Sequence, residues 1–334
     1  MTTTTPSFPR RACLALLRAT TIGLLGVSSA WAQTAAAGLS PNKPLRIVSP
    51  YSAGSGVDMI ARVYAKYLGE VLNLPTVVEN RDGAGGMIGS AYVAKQPADG
   101  HTLLVATTPF VVGPISQSNT SYDPLKDFVA LAQLAVNPLA LTINTNLPIK
   151  TMAELVAYTK ANPGKLTYAS SGPGTPSQLE MEALKARLGM DIREIPYKSN
   201  AQALADTIGG TVDMYYTVQS TGLSNVHAGK LRAIGVGSLK RTTSLPDTPT
   251  IAEAANLPGY ESLVWYGLVA PAGTPPAVVK TLSDAILKIS GRPEVMEDVK
   301  KIGFEPMATS PQVFMQVMTK EAEKATAALR AVKK

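Results

Sequence analysis

The sequence predicts an α/β protein large enough for two domains. Strand-like apolar runs alternate with segments of helical periodicity, the pattern of mainly parallel sheets covered by helices on both faces. Two Ser/Gly-rich strand-to-helix turns of one design lie far apart in the chain. The chain has 334 residues, 45% hydrophobic and 16% charged, a globular composition with room for two cores.

Taken in order, the apolar run 45–48 reads as the first strand. Val57, Ile60, Ala61, Tyr64, Leu68, Val71 and Leu72 then fall at i, i+3, i+4, i+7 spacing, which predicts an amphipathic helix over 57–72. A strand at 76–79 leads through the glycine-rich stretch 83–86 into a helix near 87–95, and 102–107 is the next strand. Two apolar runs, 129–135 and 139–144, follow as separate segments. Helices near 151–161, 176–189 and 200–208 alternate with strands at 166–170 and 192–195. Strands at 212–218, 232–237 and 263–269 precede a helical end. There Val278, Val279, Leu282, Ile286 and Ile289 share one face, as do Phe314, Val317, Met318 and Ala325.

The two turns are the candidate site. The first is Ser52-Ala53-Gly54-Ser55-Gly56-Val57-Asp58. Its glycines let the backbone turn tightly and approach a ligand without Cβ interference. Its serines add hydroxyls, and the free N–H groups of the following helix favour an anion. The second, Ser170-Ser171-Gly172-Pro173-Gly174-Thr175-Pro176-Ser177, repeats the design. Thr175 is expected as N-cap, with Pro176 at the first helical position and Gln178 closing a capping box. For either stretch alone, an ordinary capped turn is the alternative. Neither contains Lys or Arg, so anion binding there would rest on N–H groups and hydroxyls.

Other chemistry is poorly supported. His101 and His227 have no His or Cys at metal-ligand spacing, and both read as surface residues. There is no nucleophile elbow and no phosphate loop. Gly83 to Gly89 misses the dinucleotide fingerprint by one residue and reads as a tight turn permitting close strand–helix packing. No cofactor is expected. Without a Lys/Arg-rich run or a basic stripe with aromatics, nucleic-acid binding is not supported. At the N-terminus, Arg10, Arg11 and Arg18 precede the apolar stretch 20–27 and Ala30-Trp31-Ala32, a small-x-small cleavage site. Residues 1–32 are therefore expected to be a signal peptide. Its removal would take away Cys13, the single cysteine, and leave no thiol chemistry.

A further set of short runs occurs in order from Asn42 to the C-terminal helix. They include Pro44-Leu-Arg-Ile-Val48, Ala53-Gly-Ser-Gly56 with Asp58, and Val78-Glu-Asn-Arg81 with Gly83-Ala-Gly-Gly86. Ala98-Asp-Gly100, Tyr122-Asp-Pro-Leu-Lys-Asp-Phe128, Pro163-Gly-Lys-Leu-Thr-Tyr-Ala169 and Pro196-Tyr-Lys198 follow. Gly210-Thr-Val-Asp213, Ala228-Gly-Lys-Leu-Arg-Ala233, the run from Leu245 to Glu253, and Leu257-Pro-Gly-Tyr260 complete it. Together these resemble the Bug-type, or tripartite tricarboxylate transporter, solute-binding receptors. The resemblance implies a type II periplasmic-binding-protein fold, two α/β domains around a ligand cleft with a two-strand hinge. The crossings would be 137–144 and 262–269, with 42–140 plus 263–334 as domain 1 and 141–262 as domain 2.

It also implies a non-enzymatic periplasmic receptor, expected as a monomer. The receptor would deliver a small carboxylate to the membrane subunits of a tripartite tricarboxylate-type transporter. A periplasmic enzyme or a chemosensory binding protein on the same fold is the alternative. Carried over by position, the ligand contacts are Ser52 to Asp58, Thr107, Thr108 and Phe110 in domain 1. In domain 2 they are Ser170, Ser171, Gly172, Gly174, Thr175, Ser177, Tyr197, Tyr215 and Thr217. Thr217 stands where many such receptors carry an aspartate, and Val57 where many carry Ser or Thr. A neutral Thr217 suits an amine-free carboxylate, either an aliphatic dicarboxylate or an aromatic acid. Against this, Tyr215 and Phe110 could pack in the core and Thr217 never reach the ligand.

Overall fold

The computed structural model describes residues 1–2, 38–116, 120–172 and 175–332. The expected signal peptide with its cleavage site, and Gly174 of the second turn, lie outside the described residues.

The first half of the sheet is built on β1 (Leu45–Ser49), β2 (Thr76–Asn80) and β3 (Thr102–Thr107). β1 pairs in parallel with both others. Alternation along these strands feeds two cores, because successive side chains point to opposite faces. Ile47, Leu103 and Val105 go to one core, with α1 (Gly56–Leu72), α9 (Pro276–Ser290) and α10 (Pro293–Lys301). Val48, Leu104 and Ala106 go to the other, with α2 (Met87–Ala94), α3 (Thr108–Ser116) and α11 (Pro311–Val332). The apolar stripe expected for α1 is buried from Val57 to Leu72 except for a half-buried Val71, and Asn73 ends the helix in the left-handed conformation.

The second half holds β5 (Thr167–Ser170), β6 (Arg193–Pro196), β7 (Met214–Val218) and β8 (Leu231–Val236). Its helices are α4 (Met152–Ala161), α5 (Pro176–Leu188), α6 (Asn200–Gly209), α7 (Gln219–His227) and the short α8 (Ile251–Ala254). β5 runs parallel to β6 and β7.

β4 (Phe128–Asn144) joins the halves. The two apolar runs expected as separate segments are one strand through Asn137 and Pro138. Over its first part β4 pairs with β9 (Leu263–Pro271) and β10 (Glu305–Thr309), and over its second part with β7 and β8. Pro138, which has no N–H, sits opposite Leu263 at this change of partners, where a missing donor is tolerated. Every pairing of β4 and β9 is antiparallel, so the sheet is mixed rather than mainly parallel.

A third segment meets β4 and the start of β9 at this change of partners. Leu139 N–H donates to Ser262 O at 3.0 Å, Ser262 N–H to Gly237 O at 2.7 Å, and Gly237 N–H to Leu139 O at 2.7 Å. This closed ring of backbone bonds ties β4, the end of β8 and the start of β9 together. Elsewhere α11 reaches the second half through Lys324 Nζ, 3.2 Å from Glu180 Oε1 on α5.

Two local expectations are corrected. His101 is buried, and its Nε2 accepts from Ser40 N–H at 2.9 Å. Thr175 caps α5 only by its backbone position, since its hydroxyl donates to Gly172 O at 2.6 Å. Gln178 reaches Glu194 Oε2 at 3.1 Å, with no capping box observed. The glycine-rich stretch behaves as expected. A Cβ on Gly89 would meet Pro50 and the Arg81 carbonyl at 2.8 Å, so α2 can close on the β1 turn only with glycine there.

Candidate functional site

The first turn, 50–56, is held from inside by Asp58. Its side chain is 3% exposed, and Oδ2 accepts from Gly54 N–H and Arg62 Nε, both at 2.9 Å. Oδ1 accepts from Asn80 Nδ2 at 2.9 Å, and the same amide donates to Tyr51 O at 3.0 Å. Burial alone would raise this carboxyl. Arg62, the Gly54 N–H and the Asn80 amide outweigh it and hold the pKa below the ordinary carboxylate value. Asp58 thus shapes the loop from a buried position, with both oxygens already accepting from the protein, so its expected role as a ligand contact is replaced by a structural one. Val57 is likewise a core side chain.

The loop still offers donors. Ser55 caps α1, accepting from Asp58 N–H at 3.3 Å. The N–H groups of Gly56 and Val57 have no protein acceptor among the described residues, as expected of a first helical turn. Ser52, Ala53 and Gly54 are exposed above them. Gly54 has φ 80°, the conformation that brings its N–H onto Asp58.

The turn after β3 contributes less than expected. Phe110 is 4% exposed, stacked on Tyr122 at 5.4 Å and edge-on to Phe128 at 5.0 Å. It is a core residue and no wall of a cleft. Thr107 is buried beside the Tyr51 hydroxyl. Thr108 is partly exposed, but its Oγ1 is buried with no partner among the described residues.

The second turn is a hydroxyl network. Ser171 N–H donates to Ser177 Oγ at 2.9 Å, and Gly172 N–H to Ser170 Oγ at 3.1 Å. Ser170 in turn donates to Glu194 Oε1 at 2.5 Å. Alternation in β7 puts Tyr215 and Thr217 on one face and Tyr216 on the other. The Tyr215 ring packs with Ala169, Ala203 and Val212, while its hydroxyl lies 3.1 Å from Ser171 Oγ. Thr217 is buried on the same face as Tyr215. Tyr216 points into the main core, 3.1 Å from the Tyr260 hydroxyl. Tyr197 donates to Asp206 Oδ2 at 2.9 Å, so its hydroxyl proton is committed inside its own half.

Residues absent from the expected site connect the two turns. A Cβ on Gly56 would lie 3.1 Å from the Phe304 ring and 3.7 Å from the Tyr266 hydroxyl. Gly303 abuts Ser220, and Gln219 Nε2 donates to Gly303 O at 3.3 Å. Asn137 Nδ2 donates to Ser220 Oγ at 2.7 Å. The contacts therefore run from the first turn over Phe304 and Tyr266 to the start of α7, two residues after Thr217, and on through Tyr215 to Ser171. Sequence reasoning missed Phe304, Tyr266, Asn137 and Ser220 because each meets its partner only through the tertiary fold. Asn80 did stand inside a quoted run, without a sign of its role.

A separate depression of about 410 Å³, lined by Leu125, Thr319, Ala322, Glu323, Thr326 and Ala327, lies away from both turns. Among the described residues no group of three or more His, Cys, Asp or Glu could hold a metal ion. No described helix is long and apolar enough to cross a membrane.

With this geometry in place, residues 60–333 match the family described as tripartite tricarboxylate transporter family receptor, TctC. The chain belongs to this family. It is 38% identical over 284 residues to a UPF0065 protein in the tcbD-tcbE intergenic region of Pseudomonas sp. strain P51, covering 85% of this chain and 84% of that one. Among solved structures, R. palustris Rpa4515 with adipate is 32% identical, with a TM-score of 0.76 over 86% of this chain and 97% of that one. The periplasmic binding protein BugD is 31% identical, with a TM-score of 0.74 over 87% of this chain and 98% of that one. The chain is thus a periplasmic solute-binding receptor of the TctC/Bug family, a family of receptors rather than enzymes. The α/β fold expected from the sequence is the fold these relatives share.

Proposed function

We propose that this receptor captures a small amine-free carboxylate between its two turns and delivers it to the membrane subunits of a tripartite tricarboxylate-type transporter. The observation that carries the reading is the presence of two polar strand-to-helix turns, one in each half of the sheet, connected by the arc through Phe304, Tyr266 and α7. The free N–H groups of Gly56 and Val57 suit one carboxylate. Neutral Thr217, on the far side, suits a second acceptor better than an ammonium group. The adipate bound by the R. palustris relative is a ligand of this class. Saturating ligand at about 100 times its dissociation constant should stabilise the protein by about 2.7 kcal/mol, so a thermal-shift screen will find it. Calorimetry with succinate, adipate, terephthalate, glutamate and citrate then assigns the class. Tight glutamate binding with no response to the amine-free acids refutes the reading.

In the same reading, 42–140 plus 263–334 and 141–262 are two domains of a monomer that close about the junction at Leu139, Gly237 and Ser262. Small-angle scattering should show a smaller radius of gyration with bound ligand. Identical curves with and without saturating ligand would count against closure.

The backbone donors of the first turn, and the hydroxyl network that shapes the second, should govern affinity. Ser177→Ala unhooks Ser171 N–H and is expected to weaken binding by roughly 1–3 kcal/mol. Gly54→Val should cost more. Its Cβ enters open space, but a β-branched residue at φ 80° is strained, and relief of that strain pulls the loop off Asp58. Normal binding by Gly54→Val would show that the first turn is not the site.

A further inference from the structure

Hydrogen-bond accounting in the second turn ends on one side chain. The Thr175 hydroxyl proton goes to Gly172 O at 2.6 Å, and that of Ser177 to Ser171 Oγ at 3.3 Å. Ser171 Oγ donates to Asn200 Oδ1 at 2.6 Å, and the Tyr215 hydroxyl donates to the same oxygen at 3.0 Å. A hydroxyl has one proton. These four hydroxyls, like that of Ser170 on Glu194, are therefore committed inside the protein, and Asn200 Oδ1 receives two of them.

That arrangement fixes the carboxamide. With Oδ1 held by Ser171 and Tyr215, the Nδ2 group is directed away from them, and its two N–H donors meet no acceptor among the described residues. Asn200 is exposed and is the first residue of α6, where the helix field also favours negative charge. Tyr215, which orients it, is itself fixed, with its ring wholly buried and its face shared with Thr217.

We propose that Asn200 reads the end of the ligand farthest from the first turn, donating its Nδ2–H groups to an acceptor oxygen. It thereby selects a second carboxylate over an alkyl or ammonium terminus. The assignment rests on the carboxylate reading above and adds the residue that sets specificity within it. Thr217 contributes by being neutral, and Asn200 by being a donor whose acceptor end is already occupied.

The test uses the purified receptor and three acids of one length: adipate, hexanoate and 6-aminohexanoate. They place a carboxylate, a methyl and an ammonium at the far end. Calorimetric titration of the wild type should rank adipate first. Asn200→Asp still accepts from Ser171 and Tyr215 but turns a charged oxygen toward the ligand. It should weaken adipate at least tenfold, strengthen 6-aminohexanoate, and leave hexanoate within about twofold. Asn200→Ala should lose the preference for adipate over hexanoate without gaining 6-aminohexanoate. Melting curves of the unliganded variants confirm that each is folded. Adipate binding unchanged in both variants overturns the assignment of Asn200 and leaves the carboxylate reading standing. A wild type that binds neither these acids nor the five acids named above overturns both.

Discussion

Gly237→Ala is expected to lower stability by about 3 kcal/mol, a large effect for one methyl group. A Cβ built on Gly237 lies 2.3 Å from Ser262 O and 3.1 Å from Ser262 C. Those are backbone atoms, so no rotamer change relieves the clash. Nor can the segments part freely, because Leu139, Ser262 and Gly237 form the ring of backbone bonds where β4, β8 and β9 meet. Separating them leaves buried N–H and C=O groups unpaired, which costs more than the contact itself. The denaturation midpoint in urea is the readout, with Gly209→Ala as the control. Gly209 ends α6 with no atom within 4 Å of a built Cβ, so alanine there should be neutral or stabilising. Equal midpoints for the two variants would show that the junction is looser than this geometry implies. The same substitution should also disturb closure, since the strain sits where the two halves join.

Asp58→Ala should cost about 2 kcal/mol and weaken ligand binding by more than tenfold, because it strands the Gly54 N–H and the Asn80 amide. Little of this comes from the ion pair, since the Arg62 side chain is 55% exposed and its charge is screened by water. The pH dependence has a definite sign. The folded-state pKa of Asp58 is depressed, so its contribution is complete above the ordinary aspartate value of about 4. It is lost as pH falls through the lower folded-state value. Asp58→Asn removes that titration. The stability difference between wild type and Asp58→Asn should therefore be constant from neutral pH to about 5 and shrink on further acidification. A difference that stays level down to pH 2 would mean that Asp58 is not held in its charged form by these donors.

Much of the candidate site was legible because it is local. Glycine and serine between an apolar run and a helical stripe determine a strand-to-helix turn wherever the chain places it. Both turns stand where the residues predicted them. Ser55 caps α1, and Ser171 and Ser177 form the expected polar turn. Two expected contact side chains are turned inward for a different reason. Phe110 and Asp58 each carry chemistry that suits a ligand as well as an interior partner. Only Tyr122 and Phe128 in one case, and Asn80 and Arg62 in the other, show that the interior partners are met. α3 shows a related effect. Two prolines and a glycine in Thr108–Ser116 argue against helix locally, yet Phe110 and Val111 find a core there, and burial outweighs propensity.

By itself, the sequence determined the alternation of strands and helices, the two polar turns, and the family to which they belong. These depend on residue order over short spans, where periodicity and glycine geometry act directly. The tertiary structure decided how the strands pair and which donors remain open. β4 reads as two apolar runs and becomes one strand because each part finds different partners far away in the chain. Asn200 reads as an ordinary helix start until Ser171 and Tyr215 arrive at its oxygen from elsewhere in the chain. A hydrogen bond consumes a specific proton and a specific lone pair, so which groups are left for a ligand is settled only when every partner is in place.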